Sequence, residues 1–248
     1  MRYFIEFAYN GTNYNGFQKQ PNATSIQETL TKALHILIDE TVEITGAGRT
    51  DKGVHAKQMF AHFDVNTFVD CALLVSKLNV FLPKDIAIHA IFEVGADIHA
   101  RFSATARKYQ YYIHTQKNPF LEHLSWYCYK KLDVELMNKA CEILFDYIDF
   151  ECFSKVKTEV FTYNCSIKEA FWELHDDQLI FTIKADRFLR NMVRAVVGTM
   201  IDVGSGKINL ETFKSIIESK NRSNAGFSVP AHGLFLVKID YPFLTINE

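Results

Sequence analysis

The segment GAGRTDKGVHA, residues 46–56, decides how the surrounding chain is interpreted. Its glycines are typical of a loop, because glycine allows backbone conformations and close approaches that other residues resist. A stretch of seven residues inside this loop carries four functional side chains: Arg49, Asp51, Lys52 and His55. A carboxylate flanked by cations should stay ionised, which suits a nucleophile or a base better than an acid. From spacing alone, a tight turn in which Asp51 only accepts backbone hydrogen bonds is an equally good interpretation.

The glycine spacing does not match the two common phosphate-binding loops. In the dinucleotide-binding fingerprint the third glycine would fall on Asp51, and no crossover helix is expected after the loop. In a P-loop, the positions of Val54 and His55 would hold Lys and then Ser or Thr. The sequence therefore argues against a nucleotide-binding loop at this place.

Outward from this loop, strands and helices follow a β-α-β-β-α-β-like order, and a comparable order begins again in the second half. Ser25 and Glu28 form a capping box that predicts a helix through about residue 38, and residues 1–11 are typical of a first strand. The other predicted strands cover residues 41–45, 59–65, 86–94, 107–114, 163–174, 179–185 and 233–241, and the other predicted helices cover residues 71–81, 134–145, 188–203 and 210–219.

This order predicts an α+β fold made of two α/β halves of ferredoxin-like or RRM-like character, residues 1–103 and 104–248. No low-complexity linker separates the halves. We therefore expect them to share one extended, mostly antiparallel sheet, with a central cleft where they meet. Such a cleft is the default place for a ligand.

The composition is that of an ordinary globular protein, with 48% hydrophobic and 23% charged residues. Lys and Arg number 27 and Asp and Glu 29, so the net charge of −2 gives no bulk support for nucleic-acid binding, and only local positive clusters could supply it. The five cysteines form no C-x-x-C pair and no H-x-x-H spacing occurs, so we expect neither disulfides nor a metal site. The N-terminus shows no secretory or membrane-spanning pattern, and the expected location is the cytoplasm.

Five segments in the same order resemble the TruA family of tRNA pseudouridine synthases, whose motif is G-[AR]-T-D-x-G-V-H. The resemblance extends over nearly the whole chain. The matching segments are GAGRTDKGVHA at 46–56, YNG and NGFQKQ within 9–20, DIHARFSATARKYQYYI at 97–113, FLRNMVRAVVGTM at 188–200 and HGLFLVKIDYP at 232–242.

The resemblance implies an isomerase that needs no cofactor and no metal. Its expected reaction converts uridine to pseudouridine at positions 38, 39 and 40 in the anticodon stem-loop of tRNA, and its expected assembly is a homodimer whose two subunits jointly hold one tRNA. By the same resemblance, Asp51 matches the essential aspartate, Tyr109 the tyrosine that stacks on the target base, and Arg194 the arginine that pairs with the aspartate. We expect Asp51 and Arg194 to meet in an RNA-binding cleft.

Tyr109 and Arg194 also have plainer interpretations. Tyr109 could be a core tyrosine of its strand, a description that would fit Tyr111 or Tyr112 equally well. Arg194 stands mid-helix among apolar residues, which is costly unless a carboxylate or phosphate compensates the charge or the side chain extends to solvent.

Polar and basic side chains near these segments are candidates for contacts with RNA. We predict substrate contacts for Gln18, Lys19, Arg49, Lys52, His55, Arg101 and Arg107, and further phosphate contacts for Lys108, Arg187 and Arg190. His55 could instead pack within its loop. Two residues depart from the family pattern: Phe17 stands where a tryptophan is frequent, and Lys52 stands where a small residue is common.

Two other functions remain compatible with the sequence. A non-catalytic RNA-binding module would keep the cleft and use Asp51 structurally, and a base-cleaving hydrolase would break the same glycosidic bond but release uracil. The sequence also leaves open whether Asp51 attacks the ribose as a nucleophile or removes its 2′ proton as a base.

Overall fold

The computed structural model describes residues 1–155 and 161–244, and it confirms the predicted α+β class. The strands are β1 (Arg2–Tyr9), β2 (Ile44–Gly46), β3 (His55–Asp64), β4 (Ile86–Val94), β5 (Ala106–His114), β6 (Trp126–Tyr127), β7 (Ile167–His175), β8 (Gln178–Ala185) and β9 (Leu234–Asp240). The helices are α1 (Ile26–Ile38), α2 (Cys71–Phe81), α3 (Val134–Ile143), α4 (Met192–Gly204) and α5 (Leu210–Glu218). The chain divides into two compact units: Met1–Thr105 with the segment from Phe235 onward, and Ala106–Leu234.

The first unit is a sheet covered by two helices. Its strand order is β4-β1-β3-β9, and β2 pairs with β3. The strand β1 runs antiparallel to β3 and β4, whereas β9 runs parallel to β3. Because β1 is flanked on both sides, it contributes strongly to the core. Phe4, Phe7, Phe60 and Phe63 are each at most 1% exposed there.

The helix α1 begins and ends on local signals that the sequence carries. The hydroxyl of Ser25 accepts a hydrogen bond from the backbone N–H of Glu28 at 3.3 Å, which confirms the predicted N-cap. The carboxylate of Glu28 pairs with Lys32 at 2.8 Å, one turn further along the helix. Asp39 ends the helix in the left-handed conformation, with φ of 59°.

The second unit combines a sheet in the order β5-β8-β7 with three helices, and β6 pairs with β5. The strand β8 runs antiparallel to both β5 and β7, whereas β6 runs parallel to β5. The helices α3, α4 and α5 pack against one another. The helix α4 is the most deeply placed of the three: twelve of its 13 residues are buried, and the exception is Arg194, which is half-buried.

The last strand joins the first unit, whereas the sequence division at residue 103 placed it in the C-terminal half. The ladder between β9 and β3 pairs His55 with Phe235 and Ala56 with Leu236. Beyond β9, the ring of Tyr241 packs edge-to-face on Phe4, with ring centroids 5.4 Å apart. The chain therefore returns to complete the core of the unit in which it began.

Several element boundaries differ from the predicted ones for local reasons. The helix α4 begins at Met192 instead of residue 188, because Asn191 adopts the left-handed conformation with φ of 67° and its side-chain amide donates to the hydroxyl of Ser228 at 2.6 Å. The strand β7 begins at Ile167 instead of residue 163. The strand β3 already begins at His55, so the end of the glycine-rich loop is part of the sheet.

Within the described residues, no helix is long and apolar enough to cross a membrane. The five cysteines are free thiols. Four of them are buried, and burial raises the pKa of the Cys152 and Cys165 thiols to about 12. These thiols therefore stay protonated at neutral pH and serve as core residues.

The imidazole of His62 in β3 is a buried hydrogen-bond acceptor. His62 is 6% exposed, and its Nδ1 accepts a hydrogen bond from the backbone N–H of Ala100 at 3.2 Å. Burial lowers the pKa of His62 to about 4, and the charges of Arg2 and His99 act in the same direction, while Asp64 opposes them. The folded protein therefore holds this imidazole neutral well below the pH at which an unfolded chain would protonate it.

We expect the free energy of unfolding to fall as the pH is lowered from about 6.5 to about 4, because the unfolded chain then binds a proton that folded His62 rejects. The loss attributable to His62 should be about 2–3 kcal/mol. Urea unfolding at a series of pH values measures it. In His62→Asn the amide oxygen still accepts from Ala100 without titrating, so the dependence should be shallower. An equally steep dependence in this variant would contradict the assignment.

Candidate active site

Two loops of the first unit are locked together where glycines allow their backbones to touch. A Cβ atom added to Gly11 would lie 2.0 Å from the carbonyl oxygen of Val54, and one added to Gly16 would lie 2.3 Å from that of Thr50. Gly16 also has φ of +86°, which few other residues adopt. The backbone N–H of Phe17 donates to the carbonyl of Thr50 at 3.3 Å. The loop of residues 10–17 therefore fixes the loop of residues 49–55.

Asp51 lies between the fixed points of that second loop and is half-buried. Before it, the hydroxyl of Thr50 shares a 2.8 Å hydrogen bond with the hydroxyl of Tyr9. After it, the backbone N–H of Val54 donates to the carbonyl of Asp51 at 3.1 Å, and Gly53 turns the chain with φ of 78°. The backbone of the candidate carboxylate is thus restrained on both sides.

His55 closes the loop from within the core. It is 1% exposed, and its Nδ1 accepts a hydrogen bond from the backbone N–H of Gly11 at 3.0 Å. Its ring stacks on Phe235, with centroids 4.5 Å apart and planes 24° apart. This environment favours the packing interpretation of His55 over contact with a substrate.

Arg49 and Gln18 are the two predicted substrate contacts that the structure brings together in the first unit. The Nε of Arg49 donates to the side-chain oxygen of Gln18 at 2.9 Å. Lys19 is exposed, and its backbone N–H donates to the side chain of Gln27 at 2.8 Å. Lys52 is exposed in the loop. Arg49 and Lys52 thus belong to the loop that carries Asp51, and Gln18 contacts that loop through Arg49.

Three tyrosines of β5 in the second unit have different environments. Tyr111 is fully buried, and its hydroxyl donates to the carbonyl of Pro230 at 2.8 Å, so it is the core tyrosine of this strand. Tyr112 is half-buried, and its hydroxyl bonds to the side chain of Gln110 at 2.6 Å. Tyr109 is half-buried, and its ring meets Phe188 at 5.1 Å and 89°. The core interpretation therefore fits Tyr111 and not Tyr109.

Arg194 is tied to a neighbouring segment of the second unit. Its Nε donates to the carbonyl of Val229 at 2.7 Å, and its own carbonyl accepts from the N–H of Val229 at 3.2 Å. This segment approaches α4 closely, because a Cβ atom on Gly198 would lie 1.8 Å from the carbonyl oxygen of Phe227. The arginine is positioned by the backbone beside it, which argues against a side chain that simply extends to solvent.

The other predicted basic contacts differ in their environments. Arg107 donates to the carbonyl of Asp186 at 2.9 Å, and Lys108 forms an ion pair with Glu169 at 2.6 Å. Arg101 is exposed on the turn before β5 in the first unit. Arg187 is half-buried and Arg190 is exposed, both in the second unit.

Asp85 is a positioning residue that no pattern in the sequence singled out. Its carboxylate accepts from the hydroxyl of Tyr14 at 2.6 Å and from the amide of Asn13 at 3.1 Å. Its carbonyl also accepts from the N–H of Asn10 at 2.9 Å. These bonds hold the loop that in turn fixes Asp51, although Asp85 is distant in sequence.

Among the residues that the structure describes, no group of three or more His, Cys, Asp or Glu side chains is placed to hold a metal ion. Asp51 belongs to the first unit, and Tyr109 and Arg194 belong to the second. Their expected meeting in a cleft stays a prediction.

The chain matches a family model described as tRNA pseudouridine synthase over residues 6–103 and 147–242. It is 52% identical over 242 residues to tRNA pseudouridine synthase A of Parabacteroides distasonis, a match that covers 97% of this chain and 96% of the relative. It is 51% identical to the protein of the same name from Porphyromonas gingivalis, with 97% of each chain covered, and 37% identical to that of Aliivibrio salmonicida, with 98% and 93% covered. The family model includes the positions of Asp51 and Arg194, while Tyr109 lies between its two matched ranges.

Replacement of Gly16 by alanine should loosen the loop of Asp51, because the new Cβ would collide with the carbonyl of Thr50 and the backbone would be strained. We expect Gly16→Ala to lower the free energy of unfolding by about 2–4 kcal/mol and to speed amide hydrogen exchange at residues 50–54. The matched control is Gly48→Ala, since a Cβ there meets nothing within 4 Å. Equal effects of the two substitutions would show that the close approach at Gly16 does not fix the loop.

Proposed function

The chain belongs to the tRNA pseudouridine synthase family, and we propose that Asp51 is its reacting carboxylate. We propose that it acts on the uridines at positions 38, 39 and 40 in the anticodon stem-loop of tRNA. The observation that supports the role of Asp51 is its place on a loop restrained by Gly11, Gly16 and Thr50. A fixed carboxylate suits a reaction in which one ribose atom must be reached without rearrangement.

The isomerisation breaks the C1′–N1 bond of uridine, turns the uracil and joins C1′ to C5. N1 gains a proton and C5 loses one, so the net reaction needs no oxidant, reductant or water. A carboxylate can enable bond breaking in two ways: its oxygen can bond to C1′ as uracil departs, or it can take the proton from C2′. Both routes require Asp51 to be ionised beside the ribose, and both return it unchanged.

Tyr109 is our proposed platform for the detached uracil. Its ring is held by the edge-to-face contact with Phe188 and remains half-buried. Stacking on an aromatic ring contributes about 1–3 kcal/mol per base, which would keep uracil in the site while it turns. The Tyr109 hydroxyl would help to remove the C5 proton.

Arg194 is our proposed partner for Asp51. Its Nε bond to Val229 uses one of the five guanidinium donors and orients the group. A guanidinium paired with a carboxylate favours the ionised carboxylate. We propose that Arg194 and Asp51 pair in a cleft lined by two ferredoxin-like halves that share a sheet. The chain would divide into these halves near residue 103, with β9 returning to the first half.

Binding of tRNA must rely on local positive charge, because the chain carries a net charge of −2. We propose Arg49 with Gln18, Lys19, Lys52 and Arg101 as contacts from the first unit. A target uridine in the stem would have to leave its stack, at a cost of a few kcal/mol that these contacts offset. The cytoplasm is the proposed location.

Loss of the carboxylate should abolish the reaction while RNA binding persists. We expect Asp51→Asn to lower the rate of tritium release from C5-labelled uridine in an anticodon stem-loop transcript by at least about 10³-fold. Glu43→Gln, which removes an exposed carboxylate just before β2, is the matched control and should keep the wild-type rate.

The same assay separates the alternatives. Free uracil among the products would identify a base-cleaving hydrolase. Tight RNA binding by the wild type without any tritium release from several tRNAs would support a non-catalytic binding module instead.

We propose that the protein works as a homodimer that holds one tRNA between its subunits. Sedimentation equilibrium should then give twice the mass of the chain, and titration should give one tRNA for two chains. A monomer that retains full activity when diluted would contradict this arrangement.

A further inference from the structure

The turn His99–Ser103, which precedes β5, has an acceptor for every one of its five backbone N–H groups. The N–H of His99 donates to the hydroxyl of Ser103 at 3.0 Å, and that of Ser103 donates to the carbonyl of His99 at 2.9 Å. The Nδ1 of His99 accepts from Arg101 at 3.0 Å and from Phe102 at 3.3 Å, and that of His62 accepts from Ala100 at 3.2 Å. Such a turn is rigid, because unfolding it would cost all of these bonds.

The turn is also anchored to the core of the first unit. The hydroxyl of Tyr241 donates to the carbonyl of Ala100, a residue that is fully buried. The guanidinium of Arg2 donates to the carbonyl of Ile98 at 3.0 Å, just before the turn. The ring of His99 packs edge-to-face on His62, with centroids 4.6 Å apart. The position of the turn on the sheet is therefore fixed.

This rigid turn presents an aromatic ring to solvent beside a cation. Phe102 is 76% exposed, although Ala100, two positions earlier, is fully buried. The guanidinium of Arg101 lies 5.7 Å from the centroid of the Phe102 ring, and the His99 ring lies 4.4 Å from it on a tilted plane. An exposed phenylalanine on a rigid turn, whose ring already contacts two neighbouring side chains, loses less entropy than a free ring when a flat ligand stacks on it.

We propose that Phe102 is a base-stacking residue, which takes an unpaired nucleobase of the RNA substrate while Arg101 contacts the adjacent phosphate. The inference rests on the proposed function, because that function supplies the RNA. A flat aromatic face combined with a planar cation matches a nucleotide, in which a π-system is joined to an anionic phosphate. A protein partner would need a contact of about 800 Å² on this side, far more than one ring offers.

The test is the affinity of the full-length protein for an anticodon stem-loop transcript, measured by fluorescence anisotropy in the Asp51→Asn background so that no turnover occurs. Phe102→Ala should weaken binding by about 5- to 150-fold. Phe102→Tyr and Phe102→Trp should stay within about twofold of the parent, because they keep a stacking face. The matched control is Phe68→Ala: Phe68 is 79% exposed in the same unit, and its loss should leave the affinity unchanged.

A spectroscopic readout reports stacking directly. With 2-aminopurine placed at each unpaired position of the stem-loop in turn, one position should be quenched on binding, and Phe102→Ala should restore its fluorescence. Phe102→Trp should retain the quenching. Thermal denaturation of both variants checks that Phe102→Ala is folded, so that its loss of quenching cannot be due to unfolding.

Failure of this inference can be distinguished from failure of the proposed function. Unchanged affinity in Phe102→Ala, or an equal loss of affinity in Phe68→Ala, would overturn the stacking role; normal tritium release by protein that retains Asp51 would show that the isomerase is intact. Absence of tritium release by the wild type, with binding that still depends on an aromatic residue at position 102, would support the stacking role and refute the proposed reaction.

Discussion

The close approach of two backbones at Gly11 and Gly16 is the constraint on which the rest of the candidate site depends. Side chains at these positions would overlap the carbonyl groups of Val54 and Thr50. With glycine, the N–H of Phe17 reaches Thr50 and the N–H of Gly11 reaches His55. Hydrogen bonds are directional, whereas apolar side-chain packing is not. They therefore add directed restraints to a loop that buried Val54 and Phe17 also anchor in the core.

The second unit uses the same physical means to position Arg194. A Cβ atom on Gly226 would lie 2.8 Å from the backbone of Thr199, and the N–H of Gly226 donates to the hydroxyl of Thr199 at 2.9 Å. The segment that passes over α4 can then exchange hydrogen bonds with Arg194 through Val229. In both units, glycine contacts bring backbone acceptors and donors to a charged residue.

Local signals in the sequence were sufficient for much of the fold and for the loop of the site. The helix α2 and the strand β4 have the predicted bounds, because Asp70 caps the helix and Pro83 follows it. Contacts distant in sequence could not be predicted this way. The support of the loop by Asp85 and the pairing of β9 with β3 are tertiary contacts, and hydrophobic periodicity carries no information about which distant segments meet. The start of α4 was missed because Asn191, whose side chain bonds to Ser228, adopts the left-handed conformation.

Three histidines of the first unit act as hydrogen-bond acceptors in the framework. His55 accepts from Gly11, His62 from Ala100, and His99 from two successive residues of its turn, in each case through Nδ1. A protonated imidazole has no lone pair to accept with, so none of the three can take up a proton without losing a backbone bond. A general base near neutral pH must take up a proton in every catalytic cycle. These imidazoles therefore have structural roles, and a carboxylate, whose pKa ordinarily lies well below neutral pH, is the group better suited to the chemistry.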